Sequence, residues 1–366
     1  MFSFLSYWFQ IITLCFYQIE DLKRKNINGY CEIVAQMENN RTVDLKTRFI
    51  AHIETWRPYT VIWCGLLSLT GACFTNRNLP SIQITLLSLF IPIIGWIAGL
   101  YLSDYLDKNL DTIQKAHRPI PSKRMKPEEA LLIGGIFVLI GTGLTLLLGI
   151  SQLLFVFLAG FLVFTYAKYT KSNGILGNMN RGLLAVVSLL FGVFAVTSTL
   201  TQIPFYILLL SILFFFHDVT TNIVGTLRDI EGDRKAFYNT IPVKYGLRFS
   251  LFLILGLIII WFSLLVLTPF LYQIDSIYFY FMLILEILFI ANIFFISKKL
   301  FVSYNRKTAL DIHKLFVLER ITLVSALLFA IVDVYITSLI YVVSLALTAL
   351  FQYILRNQYE FNKWTL

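Results

Sequence analysis

Long apolar runs recur along this chain, at residues 58–74, 82–102, 130–150, 153–167, 183–196, 205–223, 249–267, 277–296, 318–332 and 336–355. A hydrocarbon core about 30 Å thick takes roughly 20 apolar residues of helix, so each run predicts a transmembrane helix. No Gly or Pro divides the last two runs, but joined they would form one helix of about 57 Å, too long for a single crossing. The predicted architecture is an all-α polytopic bundle of nine to ten transmembrane helices over residues 51–355. Residues 1–50 form a cytoplasmic or interfacial extension, and residues 356–366 a C-terminal tail. The apolar stretch from Phe2 to Tyr17 is short for a span. It lacks a basic region before it and a small-residue cleavage site after it, so it reads as an interfacial helix rather than a signal peptide.

Polar residues between the runs set the orientation. The 366-residue chain has 30 Lys+Arg against 21 Asp+Glu, a net charge of +9. With alternate loops assigned to opposite faces, every Lys and Arg except Arg77 falls on one side. The positive-inside rule makes that side cytoplasmic, and the plasma membrane the expected location. The positive balance therefore expresses topology and contact with anionic lipid, not nucleic-acid binding. Composition agrees, with 58% hydrophobic and only 14% charged residues, too few charges to cover so much apolar surface in water. Cys15, Cys31, Cys64 and Cys73 show no CxxC spacing and read as packing residues.

Two cytoplasmic loops carry the candidate chemistry. The first reads SDYLDKNLDTIQKAHRPIPSKR from Ser103, and the second DVTTNIVGTLRDIEGDRKAFYNTIPVKYG from Asp218. Each follows an apolar run, holds an Asp-x-x-x-Asp pair (Asp107/Asp111 and Asp229/Asp233) and continues into basic residues and a proline turn. Four spans separate them, which predicts two structurally similar halves facing one another. At about 100° per residue, Asp104, Asp107 and Asp111 share an arc of roughly 60° on one helix. Asn222, Asp229 and Asp233 fall within about 40° on another, provided that helix continues past Gly225. One such pair is ordinary in a solvated helix end. Two pairs at one membrane boundary would repel unless counter-charge joined them. Hard divalent cations supply it, and Mg²⁺ characteristically binds through a few carboxylates plus substrate phosphates. Lys115, Arg118, Arg228, Arg234 and Lys235 oppose a plain cation cage but suit a metal–diphosphate complex.

At these residues the chain resembles the UbiA superfamily of intramembrane prenyltransferases. The family's first signature, NDxxDxxxD followed by a basic residue and RPIPSGR, is matched by Asp104, Asp107, Asp111, Lys115 and the run from Arg118 to Ser122, with Ser103 in place of Asn and Lys123 in place of Gly. The second, approximately DxEGDRxxGxxTxPVxxG, is matched at Asp229, Glu231, Gly232, Asp233, Arg234, Thr240, Pro242, Val243 and Gly246, with Phe237 in place of a Gly. TWRPYT before the first span and GILGNMNRGL after the fourth add weaker support, and the likeness covers roughly residues 55–296.

The resemblance implies a transferase that moves a prenyl group from an isoprenoid diphosphate to an aromatic or lipid acceptor. It implies Mg²⁺ as cofactor, held by Ser103, Asp104, Asp107, Asp111, Asp229 and Asp233. Of these, Asp107, Asp111, Asp229 and Asp233 are the expected catalytic carboxylates. Arg57, Lys115 and Arg118 are the expected phosphate contacts, with Asn222, Arg228 and Lys235 beside them. Tyr166 and Lys168 are expected on the acceptor side. A terpene cyclase of the same family would use the same metal site, and product analysis distinguishes the two. A transporter would place ionisable residues near mid-membrane on broken helices, and a catalytically silent lipid-binding protein is the remaining alternative.

Overall fold

The computed structural model describes residues 44–197 and 204–356. It divides into an N-terminal unit, residues 1–48, of which only the start of the first helix is described, and a unit of residues 49–366. The expected interfacial helix, with Cys15 and Cys31, lies outside the described residues, as does the tail beyond residue 356.

All the regular secondary structure of the described residues is helical, with no strand among them. In chain order the helices are α1 (Leu45–Trp56), α2 (Pro58–Asn76), α3 (Ile82–Leu106), α4 (Lys108–Gln114), α5 (Pro127–Thr145), α6 (Leu153–Thr165), α7 (Ile175–Val196), α8 (Phe205–Arg228), α9 (Ile230–Lys235), α10 (Ile241–Tyr245), α11 (Leu247–Tyr272), α12 (Ile277–Val302), α13 (Arg306–Ile331) and α14 (Val334–Phe351). A π-helical turn, Tyr166–Thr170, extends α6, and another, Gln352–Arg356, extends α14. Among the described residues, nine helices are long and apolar enough to cross a membrane. The tenth expected crossing is α13, which falls outside that class through its charges, Arg306, Lys307, Asp311, Lys314, Glu319 and Arg320. At 26 residues it spans about 39 Å, and Glu319 to Phe329 are all buried.

The inner helices are α2, α8 and α13: α2 packs on α3, α7, α13 and α14, and α8 on α7, α11 and α13. Gly71 and Gly192 permit the closest approach. A Cβ at Gly192 would stand 1.7 Å from the Ser68 carbonyl, and one at Gly71 2.2 Å from that of Leu189. Small residues let membrane helices meet backbone to backbone, where packing rather than water expulsion drives association. The outer helices expose large apolar side chains, among them Leu139, Phe281 and Phe295. Such a surface calls for lipid as its solvent, and the protein is an integral membrane protein. Cys64 and Cys73 are buried free thiols.

The helices overrun the apolar runs that predict them. Helix α7 starts at Ile175, not 183, and α8 continues past Gly225 to Arg228. The gap between the runs ending at 296 and starting at 318 shrinks to residues 303–305, because α12 ends at Val302 and α13 starts at Arg306. A hydropathy run ends at polar residues where helical hydrogen bonding does not, whether those residues face inward, as Asn178 and Asp218 do, or outward, as Lys298, Lys299 and Lys307 do.

Candidate active site

The two aspartate motifs adopt the same local form. Helix α3 ends at Leu106, Asp107 forms a joint with φ −83° and ψ 1°, and α4 carries Asp111. Helix α8 ends at Arg228, Asp229 forms a joint with φ −99° and ψ 7°, and α9 carries Asp233. Both joints keep the i→i+4 hydrogen bond: the Asp111 N–H donates to the Asp107 carbonyl and the Asp233 N–H to that of Asp229, each at 2.8 Å. Further bonds of 2.8 Å from Asp107 to Ser103 and from Lys115 to Asp111 continue the ladder. The register survives each joint, so carboxylates four residues apart stay on one side. The short helices α4 and α9 pack against each other, bringing the motifs together.

Five carboxylates face five cations there. Arg57 reaches Asp104 at 2.6 Å, and Arg118 lies 3.7 Å from Asp104 and 2.7 Å from Asp111. Lys171 holds Asp107 at 2.6 Å. Arg228 grips Asp229 through Nη2 at 2.8 Å and Nε at 3.0 Å, while Lys115 crosses from the first motif to Asp229 at 3.4 Å. Asp233 accepts from the Thr240 hydroxyl at 3.0 Å. Burial pushes the Asp229 carboxyl up, but Arg228 and then Lys115 outweigh it and hold it well below the usual carboxylate range. Burial and the Asp229 charge push Asp233 up to about 6. Burial pulls the Lys171 ammonium down, yet the facing Asp107 carboxylate outweighs it and holds it above the usual lysine value.

Beside these groups lies a cavity of about 180 Å³, whose lining does not include Arg57, Asp104, Asp107, Asp111 or Arg118. Lys115, Lys171, Arg228, Asp229 and Asp233 line one end, and Arg181, Asp218 and Arg320 also line it. Tyr166 and Asn222 line it as well, with the Asn222 Nδ2 3.5 Å from the Tyr166 hydroxyl. Lys168 and Lys235 do not belong to the lining. In the π-helical turn, Lys168 lies over the rings of Phe164 and Tyr169, and Lys171, just past that turn, reaches Asp107 instead. An extra residue in a turn rotates everything after it, which carries Lys171 round to Asp107. Ser103 contributes its carbonyl to the Asp107 N–H; its side chain is not part of the cavity wall.

Lys123 and Phe237, the two positions where this chain replaces a glycine of the family signatures, have φ of 60° and 58°. Glycine enters that left-handed region without the Cβ clash other residues meet. The loop before α5 is fixed by Arg124, which grips Glu54 at 2.9 and 2.6 Å and donates to the His117 carbonyl at 2.8 Å.

Among the described residues, no three carboxylate, imidazole or thiol groups are gathered closely enough to hold a metal ion by themselves. The donors are nonetheless hard oxygens in pairs beside a polar cavity lined with cations. That set fits Mg²⁺ arriving with a diphosphate, since Mg²⁺ keeps several ligands from water or phosphate.

Comparison with known proteins gives a consistent picture. The model of the UbiA prenyltransferase family matches residues 62–318. Digeranylgeranylglyceryl phosphate synthase of Pyrococcus horikoshii is 31% identical over 196 residues, 54% of this chain and 69% of that protein. The synthase of the same name from Methanothrix thermoacetophila is 29% identical over 209 residues, 57% and 76% of the two chains. Among solved structures, a UbiA homolog from Archaeoglobus fulgidus bound to DMAPP and Mg²⁺ superposes with TM-score 0.56 at 18% identity, covering 75% of this chain and 99% of that one. A UbiA homolog from Aeropyrum pernix does so with TM-score 0.60 at 16% identity, covering 70% and 94%. At such identities the superpositions bear on the fold alone.

Proposed function

The chain belongs to the UbiA prenyltransferase family and is a membrane prenyltransferase, and from that premise we propose that it transfers a prenyl group from an isoprenoid diphosphate to a hydroxyl of a glycerophosphate lipid. The observation that carries the donor half is the constellation of five carboxylates and five cations at two matched helix joints beside a polar cavity. The acceptor half rests on the relatives, which are digeranylgeranylglyceryl phosphate synthases at up to 31% identity among those above.

Asp107 and Asp111 on one side, and Asp229 and Asp233 on the other, would hold Mg²⁺, with Asp104 beside the first pair and Ser103 supporting it through its carbonyl, which accepts from the Asp107 N–H. Mg²⁺, when bound, supplies the Lewis-acid charge that lets the diphosphate leave with the bonding electron pair. The chain's own cations act by exchange. Arg57, Lys115, Arg118, Lys171 and Arg228 occupy the carboxylates in the bare protein and turn to phosphate oxygens when carboxylates turn to metal. A diphosphate and the divalent cations that escort it nearly cancel, so they enter a balanced set with little change in net charge. Held close to the allylic carbon in a site shielded from bulk water, the acceptor oxygen forms the ether bond as the carbon–oxygen bond to the diphosphate breaks, and its proton passes to the departing diphosphate.

A cyclase needs a closed apolar cavity around its cation. Arg181, Asp218 and Arg320 in the cavity wall favour a polar second substrate instead. The aspartate side is taken as cytoplasmic, and the plasma membrane as the site of action. The test is product analysis: purified protein with Mg²⁺ and geranylgeranyl diphosphate is offered geranylgeranylglyceryl phosphate, hydroxybenzoate or homogentisate. A second ether bond on the glycerol lipid alone is expected; prenylation of an aromatic ring alone overturns the acceptor assignment.

A further inference from the structure

Two arginines in the cavity wall have no place in the donor chemistry. Arg320 lies on α13 and is 4% exposed. Its Nε and Nη2 are buried with no hydrogen-bond partner among the described residues. Its sequence neighbour Glu319 is engaged elsewhere, with His217 Nε2 at 3.0 and 3.1 Å. Arg181, on α7, also has an unpartnered buried Nε, and its nearest carboxylate, Asp218 on α8, stands at 3.6 Å, beyond hydrogen-bond reach. Each guanidinium lies near an aromatic ring: the Cζ of Arg181 is 4.3 Å from the Trp96 ring centre and that of Arg320 5.5 Å from that of Trp63. Such a cation–π contact holds a guanidinium but does not satisfy its N–H donors. Unsatisfied buried donors destabilise a fold, and planar forks of this kind match phosphate oxygens.

Position separates these arginines from the aspartate end. Asp218, beside Arg181, precedes Asp229 by eleven residues along α8, about 16 Å of helical rise. The same cavity reaches both ends, so two phosphorylated groups can occupy it at once. We propose that Arg181 and Arg320 form a second anion subsite that holds the phosphate of the acceptor lipid while the diphosphate occupies the aspartate end. This rests on the acceptor assignment above and adds the residues that select it. The subsite takes a phosphomonoester, lined by two cations against one carboxylate, and rejects the corresponding neutral glycerol ether.

The test uses the full chain in phosphatidylcholine nanodiscs, whose headgroups carry no net charge. Dissociation constants are measured for geranylgeranylglyceryl phosphate and for geranylgeranylglycerol, which lacks the phosphate. Separately, the response to Mg²⁺ with a non-reactive geranylgeranyl thiolodiphosphate is recorded. Wild type is expected to favour the phosphorylated lipid at least tenfold. R320Q and R181Q should each bring that preference down several-fold while the thiolodiphosphate response stays within about twofold. R320K should restore part of it, and D218N, which removes a facing negative charge, should increase it. D218N also serves where an arginine variant fails to fold, and a fall in preference there overturns the subsite. Preference intact in both glutamine variants places the phosphate elsewhere. Loss of the thiolodiphosphate response instead makes the arginines part of the donor site. If wild type shows no phosphate preference yet forms the second ether bond, the subsite fails and the acceptor assignment stands; if no glycerol ether forms, the assignment fails with it.

Discussion

Substituting Lys171 by Gln tests the exchange of ionic partners directly, because its effect should change sign with what is bound. In the bare protein Lys171 holds Asp107 at 2.6 Å, with the two side chains 26% and 11% exposed. Breaking a fully buried pair destabilises by about 3–5 kcal/mol, whereas exposed pairs contribute about 1 kcal/mol or less. Partial solvent access puts K171Q between these, at about 1–2 kcal/mol less stable. With Mg²⁺ alone the order reverses: Asp107 no longer has a competing ammonium, so K171Q should gain more from the metal than wild type. With Mg²⁺ and a prenyl thiolodiphosphate, the variant lacks one charge-assisted phosphate contact of about 1.5–3 kcal/mol. Its affinity for that pair should drop about tenfold to a hundredfold. Thermal unfolding of detergent-solubilised protein in the three conditions reads all three signs. If K171Q responds to Mg²⁺ no better than wild type and binds the thiolodiphosphate equally well, Lys171 is a structural pair for Asp107 and the exchange is wrong.

D107N and D233N should leave a folded, membrane-inserted protein and reduce turnover by at least about a hundredfold, since each removes a hard ligand where leaving-group charge develops. Full turnover in either variant would make the carboxylate an ordinary loop residue. F237G should be neutral to stabilising by up to about 1 kcal/mol, because Phe237 has φ 58° and is 92% exposed, so relief of left-handed strain outweighs the little packing lost. A lower unfolding midpoint would show instead that the ring is anchored, for instance in lipid. The response to Mg²⁺ should weaken as pH falls through about 6, where Asp233 takes up a proton. The sign for the bare fold is opposite: this group's stabilising contribution is complete below its unfolded value near 3.8 and is lost as pH rises through about 6. Unfolding midpoints with and without Mg²⁺ at pH 7.5 and 5.5 check this, and equal Mg²⁺ responses at both would refute it.

Much of the bundle was legible because bilayer thickness imposes its length on the sequence. Nine of the ten apolar runs stand on helices long and apolar enough to cross a membrane, and the run at 318–332 stands on the charged α13. The aspartate faces were legible because i→i+4 spacing survives the joints at Asp107 and Asp229. What escaped notice was inward-facing charge outside the motifs. Arg320 reads as one more cytoplasmic cation until α13 is seen to carry it into the bundle, and Arg181 as a loop residue until α7 is seen to begin at Ile175. Lys171 escaped because a π-helical turn precedes it and shifts the register, and no residue pattern announces such a turn. The substituted glycines at Lys123 and Phe237 were visible as departures; only the backbone gives them a cause, a shared left-handed φ.

Arg356 ends the described chain fully buried, bonded to Gln352 at 2.9 Å and to His313 Nδ1. His313 belongs to the cavity wall, while α14, which delivers Arg356, begins sixteen residues beyond the family match at 62–318. One wall of the pocket is therefore braced by a helix that is synthesised after both aspartate motifs and lies outside the family match. During synthesis both aspartate motifs can be membrane-inserted and correctly paired while the chamber between them still lacks its final support. A truncation before α14, or a change that strains the turn at Gln352–Arg356, would therefore disturb the site from outside the family match while leaving every signature residue in place.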